Sequence, residues 1–249
     1  QMALGTGMIN SKLDYTVGWE PSDRDDLVLW LKNDTDVAAT LWRSQTTDAT
    51  EFEQFTINRA PSVVLNQRDQ EVTRDLYFDG SDKLVISGSE VLNVEGAFTF
   101  VFVWLPEAST DSTLLSGPSG GSANGINTLR GPHSGGGGAN SIKVVMNSEI
   151  SIFQHGKPFI PDEGEIKLQY YIIQRADNYN MTGESSVWGN VTTVLNQNNE
   201  NDLTIHTLGL GIDATIKEVF IFHDILDSTG YDQMHEYLKD KFGIERYIS

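Results

Sequence analysis

The chain has 249 residues, of which 39% are apolar and 23 are glycine; together these reach about 48%, the level of an ordinary folded chain, so disorder as the dominant state is excluded. Lys and Arg number 17 against 35 Asp and Glu, a net charge of −18, which repels nucleic-acid phosphate and anionic lipid alike. With no cysteine the chain has no disulfide, thiolate zinc site or thiol nucleophile, and no run of about 18 apolar residues is present to cross a membrane as a helix.

Residues 1 to 24 mix isolated apolar side chains with Gly, Ser, Asn and Pro and keep neither a helical nor a strand period. They read as an arm. Fully extended it would reach roughly 80 Å, against a radius of gyration of about 18 Å for a compact chain of this length. Two readings stand: the arm reaches a neighbouring subunit, or it lies as an edge strand on its own domain.

Residues 25–249 then form one domain, a series of short strands separated by turn residues. Leu27–Leu31 and Ser62–Leu65 are short runs, and Arg74–Gly80 and Lys83–Ser87 read as two strands joined through the tight connection at Ser81-Asp82. Ala97–Leu105 (AFTFVFVWL) is the strongest. Phe98, Phe100, Phe102 and Trp104 fall on one face, Thr99, Val101 and Val103 on the other, so the strand should be central and covered on both sides. Gly117 to Gly138 holds nine glycines among 22 positions and reads as a long loop. Ser141–Met146, Ile150–Phe153, Ile166–Gln174, Ser186–Trp188, Val191–Leu195, Leu203–Leu208 and Ile212–His223 continue the series. Many strands without alternating helices point to an all-β sandwich or barrel. One helix closes the chain over 227–242: Asp227 or Ser228 caps it, Tyr231, Met234, Leu238 and Phe242 share a face, and Gly243 supplies a left-handed stop.

The segment Leu76-Tyr77-Phe78-Asp79-Gly80-Ser81-Asp82-Lys83-Leu84 followed by AFTFVFVWL resembles the front half of concanavalin A-like (laminin G-like) jelly-roll domains. Ile216–His223, Asp224–Asp227 and the helix ending Tyr237-Leu238-Lys239-Asp240-Lys241-Phe242-Gly243-Ile244 are similar to that family's closing strand and helix. The resemblance spans about residues 25 to 245 and implies a jelly-roll β-sandwich with one C-terminal helix. Stand-alone acidic, cysteine-free chains of this kind resemble accessory proteins of tailed bacteriophage particles. That implies a non-enzymatic chain in multiple copies on the virion surface, in capsid decoration or a tail fibre, docked to other virion proteins through the arm or a sandwich edge. The family also includes lectins and glycan-cleaving enzymes, so a stand-alone carbohydrate-binding lectin is the alternative and a glycan-cleaving enzyme a more distant one. Fold alone does not choose.

Catalytic chemistry is sparse. The Glu-x-Asp-x-x-Glu strand motif of glucanases of this fold is missing, and the nearest acid cluster, Glu163-Gly164-Glu165, follows Pro161-Asp162 in a turn. Gly117-Pro118-Ser119-Gly120-Gly121 fits Gly-x-Ser-x-Gly, yet the helix that a nucleophile elbow requires does not follow. No catalytic residue and no metal ligand is therefore assigned. Family members often hold calcium with loop oxygens; here that implication falls on Asp79 with Asp82 and on Asn33–Asp36, which also read as ordinary turns. Of the histidines, His223 and His235 read as packed or solvent-bridged, and His133, within the glycine-rich stretch, is a binding candidate. The remaining candidates are Asn178, Tyr179, Asn180 and Trp188, whose amides suit sugar hydroxyls and whose rings suit the apolar side of a pyranose. The competing reading is a hairpin with Trp188 packed in the sandwich.

Overall fold

The computed structural model describes residues 18–33, 35–48, 50–54, 56–68, 71–87, 90–107, 112–118, 120–130, 140–147, 149–155, 168–186, 189–190, 193–195 and 200–247. In chain order the first strands are β1 (Leu27–Leu31), β2 (Val37–Ala38), β3 (Leu41–Arg43), β4 (Glu51–Glu53), β5 (Ser62–Arg68), β6 (Glu71–Asp79), β7 (Leu84–Ile86), β8 (Leu92–Val94) and β9 (Phe98–Pro106). They are followed by β10 (Ser112–Gly117), β11 (Gly120–Arg130), β12 (Asn140–Met146), β13 (Glu149–His155), β14 (Gln169–Arg175), β15 (Met181–Ser185) and β16 (Gly189–Asn190). The last elements are β17 (Thr193–Leu195), β18 (Leu203–Ile205), β19 (Thr207–Leu208), β20 (Asp213–Phe222) and the helix α1 (Ser228–Phe242).

An eight-stranded sheet runs β16-β15-β14-β9-β20-β6-β5, with β1 also paired to β20, and faces a ten-stranded sheet β17-β13-β12-β11-β10-β19-β7-β4-β3-β2. The ribbon β18-β8 forms a third, two-stranded sheet. The protein is an all-β sandwich with one C-terminal helix.

The expectation for the central strand holds. β9 lies between β14 and β20, pairing antiparallel with both. Phe98, Phe100, Phe102 and Trp104 enter the core between the sheets, where the rings of Phe102 and Tyr171 stack at 5.1 Å. Val101 and Val103 face outward with Trp30, Tyr170, Ile172, Phe220 and Phe222, and α1 covers them with Met234, Tyr237 and Leu238. The helix is thus a third layer. Its caps are those expected: Asp227 Oδ1 accepts the Gly230 N–H at 2.8 Å, and Gly243 adopts φ 68. Lys239 and Lys241 occupy its last turn, where the dipole favours cations.

Of the expected arm, residues 1–17 lie outside the described residues. Residues 18–24 run against the helix side: the Trp19 ring meets Tyr237 edge-on at 6.3 Å, and Pro21 is buried.

Three expectations change. The glycine-rich stretch, read as a loop, is strand through Gly120–Arg130, paired with β10 on one side and β12 on the other. Pairing along both edges satisfies its backbone groups, and the glycines mark irregularity: Gly125 has φ 156, and the β10–β11 register shifts between Thr113 and Leu115 and between Ser116 and Gly117. Gly117 and Gly120 therefore flank a β-hairpin connection where a nucleophile elbow needs a strand-to-helix turn. Second, the strands either side of Ser81-Asp82 belong to different sheets, so that connection crosses the sandwich. Third, the run Leu203–Leu208 divides at His206 between the ribbon and the large sheet.

Gly209 shows how tightly the sheets meet. It has φ +83, and a Cβ there would sit 2.3 Å from the Phe78 ring. Gly209→Ala should destabilise the fold by about 2–4 kcal/mol, from left-handed strain and overpacking together. Asp227→Ala should cost about 1 kcal/mol through loss of the helix cap. Urea unfolding followed by tryptophan fluorescence checks both.

Candidate functional site

The residue that organises one end of the sandwich is Arg175, the last of β14 and fully buried. Its Nε donates to the Gly96 carbonyl at 2.7 Å, Nη2 donates to the same oxygen, and Nη1 donates to the Asn201 carbonyl and reaches Met146 Sδ at 3.3 Å. The guanidinium carbon lies 4.9 Å from the Phe98 ring centre and 5.9 Å from that of Tyr179. Burial lowers its pKa, with Asp202 and Tyr179 acting the other way. One side chain thus ties the turn before β9, the end of β12, the turn before β18 and the β14–β15 hairpin.

That hairpin carries three of the expected binding residues. Tyr179 N–H donates to the Ala176 carbonyl at 2.8 Å, Ala176 N–H to the Asn180 carbonyl at 2.9 Å, and Asn180 N–H to Asn178 Oδ1 at 3.2 Å. Tyr179 adopts φ 62 and is half-buried toward Arg175, while Asn178 and Asn180 are exposed. Beside them, exposed Asn147 donates from Nδ2 to Asn201 Oδ1 at 3.2 Å. The end is a surface rich in amides, each able to donate and accept. His133 and Trp188, and the acids Glu163 and Glu165, lie outside the described residues.

The calcium implication meets groups already engaged. Asp79 Oδ1 accepts Ser81 N–H at 2.9 Å and Ser81 Oγ–H at 2.7 Å, and Asp82 Oδ2 accepts Asp79 N–H at 3.0 Å, a turn closing on itself. Asn33 Nδ2 donates to Asp75 Oδ1 at 3.2 Å.

A concavity opens on the outer face of the eight-stranded sheet. It is a recess of about 460 Å³ lined by Val64, Tyr77, Leu105, Glu107, Thr215 and Lys217. The register places Tyr77, Thr215 and Leu105 in one cross-strand row. A bulge between Ile216 and Glu218 brings both Lys217 and Glu218 to this face. Lys217 pairs with the fully buried Asp75, and the Tyr77 hydroxyl donates to Asp213 Oδ1 at 3.0 Å. That hydrogen bond raises the Tyr77 pKa.

The sequence also gave no sign of a buried charge cluster beneath the helix. Glu184, with its side chain 2% exposed, accepts the Tyr170 hydroxyl at 2.9 Å, the Tyr231 hydroxyl at 3.1 Å and Arg246 Nη2 at 3.1 Å. His235 Nε2 lies 3.1 Å from it, off the line of a hydrogen bond, so the contact is ionic when the ring is protonated. His235 Nδ1 lies 3.1 Å from the Tyr170 hydroxyl. His235 is packed, as expected, and His223 is exposed. Burial pushes the Glu184 carboxyl up, but His235, Tyr170 and Arg246 outweigh it and hold the carboxyl below its ordinary range. With its partners already in place and solvent excluded, this carboxylate acts as a strut.

The sequence matches no protein-family model and no curated protein sequence. Its fold is similar to solved structures. One concerns cell entry of botulinum neurotoxin type C through two ganglioside molecules; the TM-score is 0.59 and the identity 13%, over 88% of this chain and 53% of that one. Another is the binding domain of Paraclostridial Mosquitocidal Protein 1, with TM-score 0.57 and 12% identity over 86% of this chain and 53% of that one. A third is Trypanosoma rangeli sialidase, with TM-score 0.53 and 12% identity over 88% and 33%. This chain spans between a third and about half of those structures, and at such identities the likeness is one of fold.

Because the Glu184 carboxyl is held below its ordinary pKa, its contribution is complete above the unfolded value and is lost as pH falls through the folded one. Stability should therefore decline as pH drops below about 4.5. Glu184→Gln should remove about 2–4 kcal/mol at neutral pH and flatten that acid decline. Denaturant midpoints measured across the acid range check both.

Proposed function

We propose that the chain is a non-enzymatic, lectin-like sandwich that binds glycans through its Arg175-locked end and is displayed in many copies on a virion. The observation that carries the glycan reading is the hairpin in which Asn178 and Asn180 project from a backbone fixed by its own hydrogen bonds and by the guanidinium beneath. A backbone already held in place lowers the ordering cost of presenting amides to hydroxyls, leaving only that of the side chains. They neither titrate near neutrality nor attack a glycosidic bond, which a retaining glycosidase does with two carboxyls about 5–5.5 Å apart. The type C neurotoxin structure, concerned with ganglioside-dependent entry, supports a glycan partner for a sandwich of this shape. Virion display rests on the sequence resemblance and on the net charge of −18, which keeps closely spaced copies apart.

On a glycan array the chain should give a defined set of hits, unchanged by chelator and accompanied by no release of reducing ends. Replacing Asn178 and Asn180 together by Ala should weaken the best hit about tenfold, as expected for two hydrogen bonds of about 0.5–1.5 kcal/mol each. Trp188→Ala tests the remaining aromatic candidate on the same hit. An array silent with and without calcium overturns the glycan reading. Deleting residues 1–17, which spares the Trp19 contact with Tyr237, should abolish incorporation into particles; unchanged incorporation removes the arm as the dock.

A further inference from the structure

The sheet edges of this protein are unequal. The ten-stranded sheet ends in β17, three residues long, and β2, two residues long; the eight-stranded sheet ends in β16, two residues long, and β5, seven. Short edges are self-protecting because they offer few unpaired backbone groups. The far side of β1 is also covered: Ser44 Oγ accepts the Trp30 N–H at 3.0 Å, and Gln45 N–H donates to the Trp30 carbonyl at 2.8 Å.

Among the described residues β5 has none of these protections. Its register with β6 runs without a bulge from Ser62 opposite Tyr77 to Arg68 opposite Glu71, and among the described residues it pairs with no other strand. Its sequence, SVVLNQR, contains neither Pro nor Lys. Val63 and Leu65 share the core-side face with Leu76 but lie at the sheet's margin, 36% and 64% exposed. They are thus two exposed apolar side chains in alternate positions on one strand. Residues 54–68 contain no acid, in a chain with 35 acids among 249 residues, so two copies meeting here would keep their abundant carboxylates off the seam.

We propose that β5 is the seam of a two-fold homodimer, pairing antiparallel with β5 of a second copy about an axis at Val64. In that register Val63 lies against the partner's Leu65 and Leu65 against the partner's Val63, so each exposed apolar residue is covered by the other. A register centred on Leu65 would set Val63 opposite Gln67 and leave it uncovered. The strand is therefore self-complementary, as an isologous contact requires, and the pairing closes after two copies. It fuses two eight-stranded sheets into one continuous sheet and leaves the Arg175-organised end of each copy free. The seam stands independently of the glycan reading.

Because the chain has no cysteine, a single introduced thiol reports the register. Directly opposed residues of an antiparallel pair have Cα atoms about 4.5–5.5 Å apart, within disulfide range. Under mild oxidation the full-length Val64→Cys chain should become mainly a covalent dimer, whereas Ser62→Cys, which faces Asn66 in this register, should not. Sedimentation velocity on the unmodified chain at tens of micromolar should show mass rising from 27.6 kDa toward twice that value. The double variant Val63→Lys, Leu65→Lys should remain monomeric with an unchanged circular dichroism spectrum. A monomer at all concentrations, a dimer that survives the double lysine variant, or equal crosslinking of Val64→Cys and Ser62→Cys overturns the proposal.

Discussion

The strand from Phe98 to Pro106 has apolar side chains on both faces, and neither face can be left to water. The aromatic face meets the second sheet and forms the core shared with Trp42, Phe52 and Phe78. The valine face needs a different cover, which the C-terminal helix supplies through Met234, Tyr237 and Leu238. Burying one such side chain is worth about 1.5–3 kcal/mol, so the helix belongs to the condition for the central strand to exist. The helix follows directly after β20, which pairs with β9, and so is delivered to the face it covers.

Polar groups beneath the helix fix where it sits. The bulge between Ile216 and Glu218 turns Glu218 to the helix side, where it accepts the Tyr237 hydroxyl at 2.8 Å and pairs with Lys241. Burial pushes the Glu218 carboxyl up, and Lys241 and Tyr237 pull it back. Glu184 does the same work one strand from the sheet's edge, with Tyr231, His235 and Arg246. Such buried ionic groups add little net stability over an apolar filling, but a helix shifted by one turn would take Tyr237 and Lys241 from Glu218 and Tyr231 and His235 from Glu184. Apolar burial drives the helix onto the sheet, and the carboxylates select the register.

Much of this was legible in the residues. The two-faced β9, the helix with its Asp227 and Gly243 caps, and the strand series all follow from local pattern, because periodicity and capping are local properties. The strand Gly120–Arg130 was not legible, since its glycines carry no propensity and its stability comes from neighbours on both sides. The two-residue and three-residue strands β2, β3 and β4 carry too few residues to show a period. At the Arg175-organised end, Asn178, Tyr179 and Asn180 could be named from composition, but Arg175 could not. A lone arginine ending an apolar strand reads as a solvated terminus, and only the convergence of Gly96, Met146 and Asn201 around it reveals a buried anchor.

Arg175 and β5 represent opposite treatments of exposed backbone. At the sandwich end, carbonyls that turns would leave to water are taken by a buried guanidinium, so the turns are tied to the sheet by the protein itself. Along β5, seven residues keep one side of their backbone unpaired by any described strand, with apolar side chains beside it. A fold that consumes loop carbonyls at one end and shortens its other sheet edges to two or three residues has the means to close this edge as well. Among the described residues β5 is the sheet-end strand of full length, and its apolar residues complement their own reversed copy, so a second chain is a physical explanation for the opening.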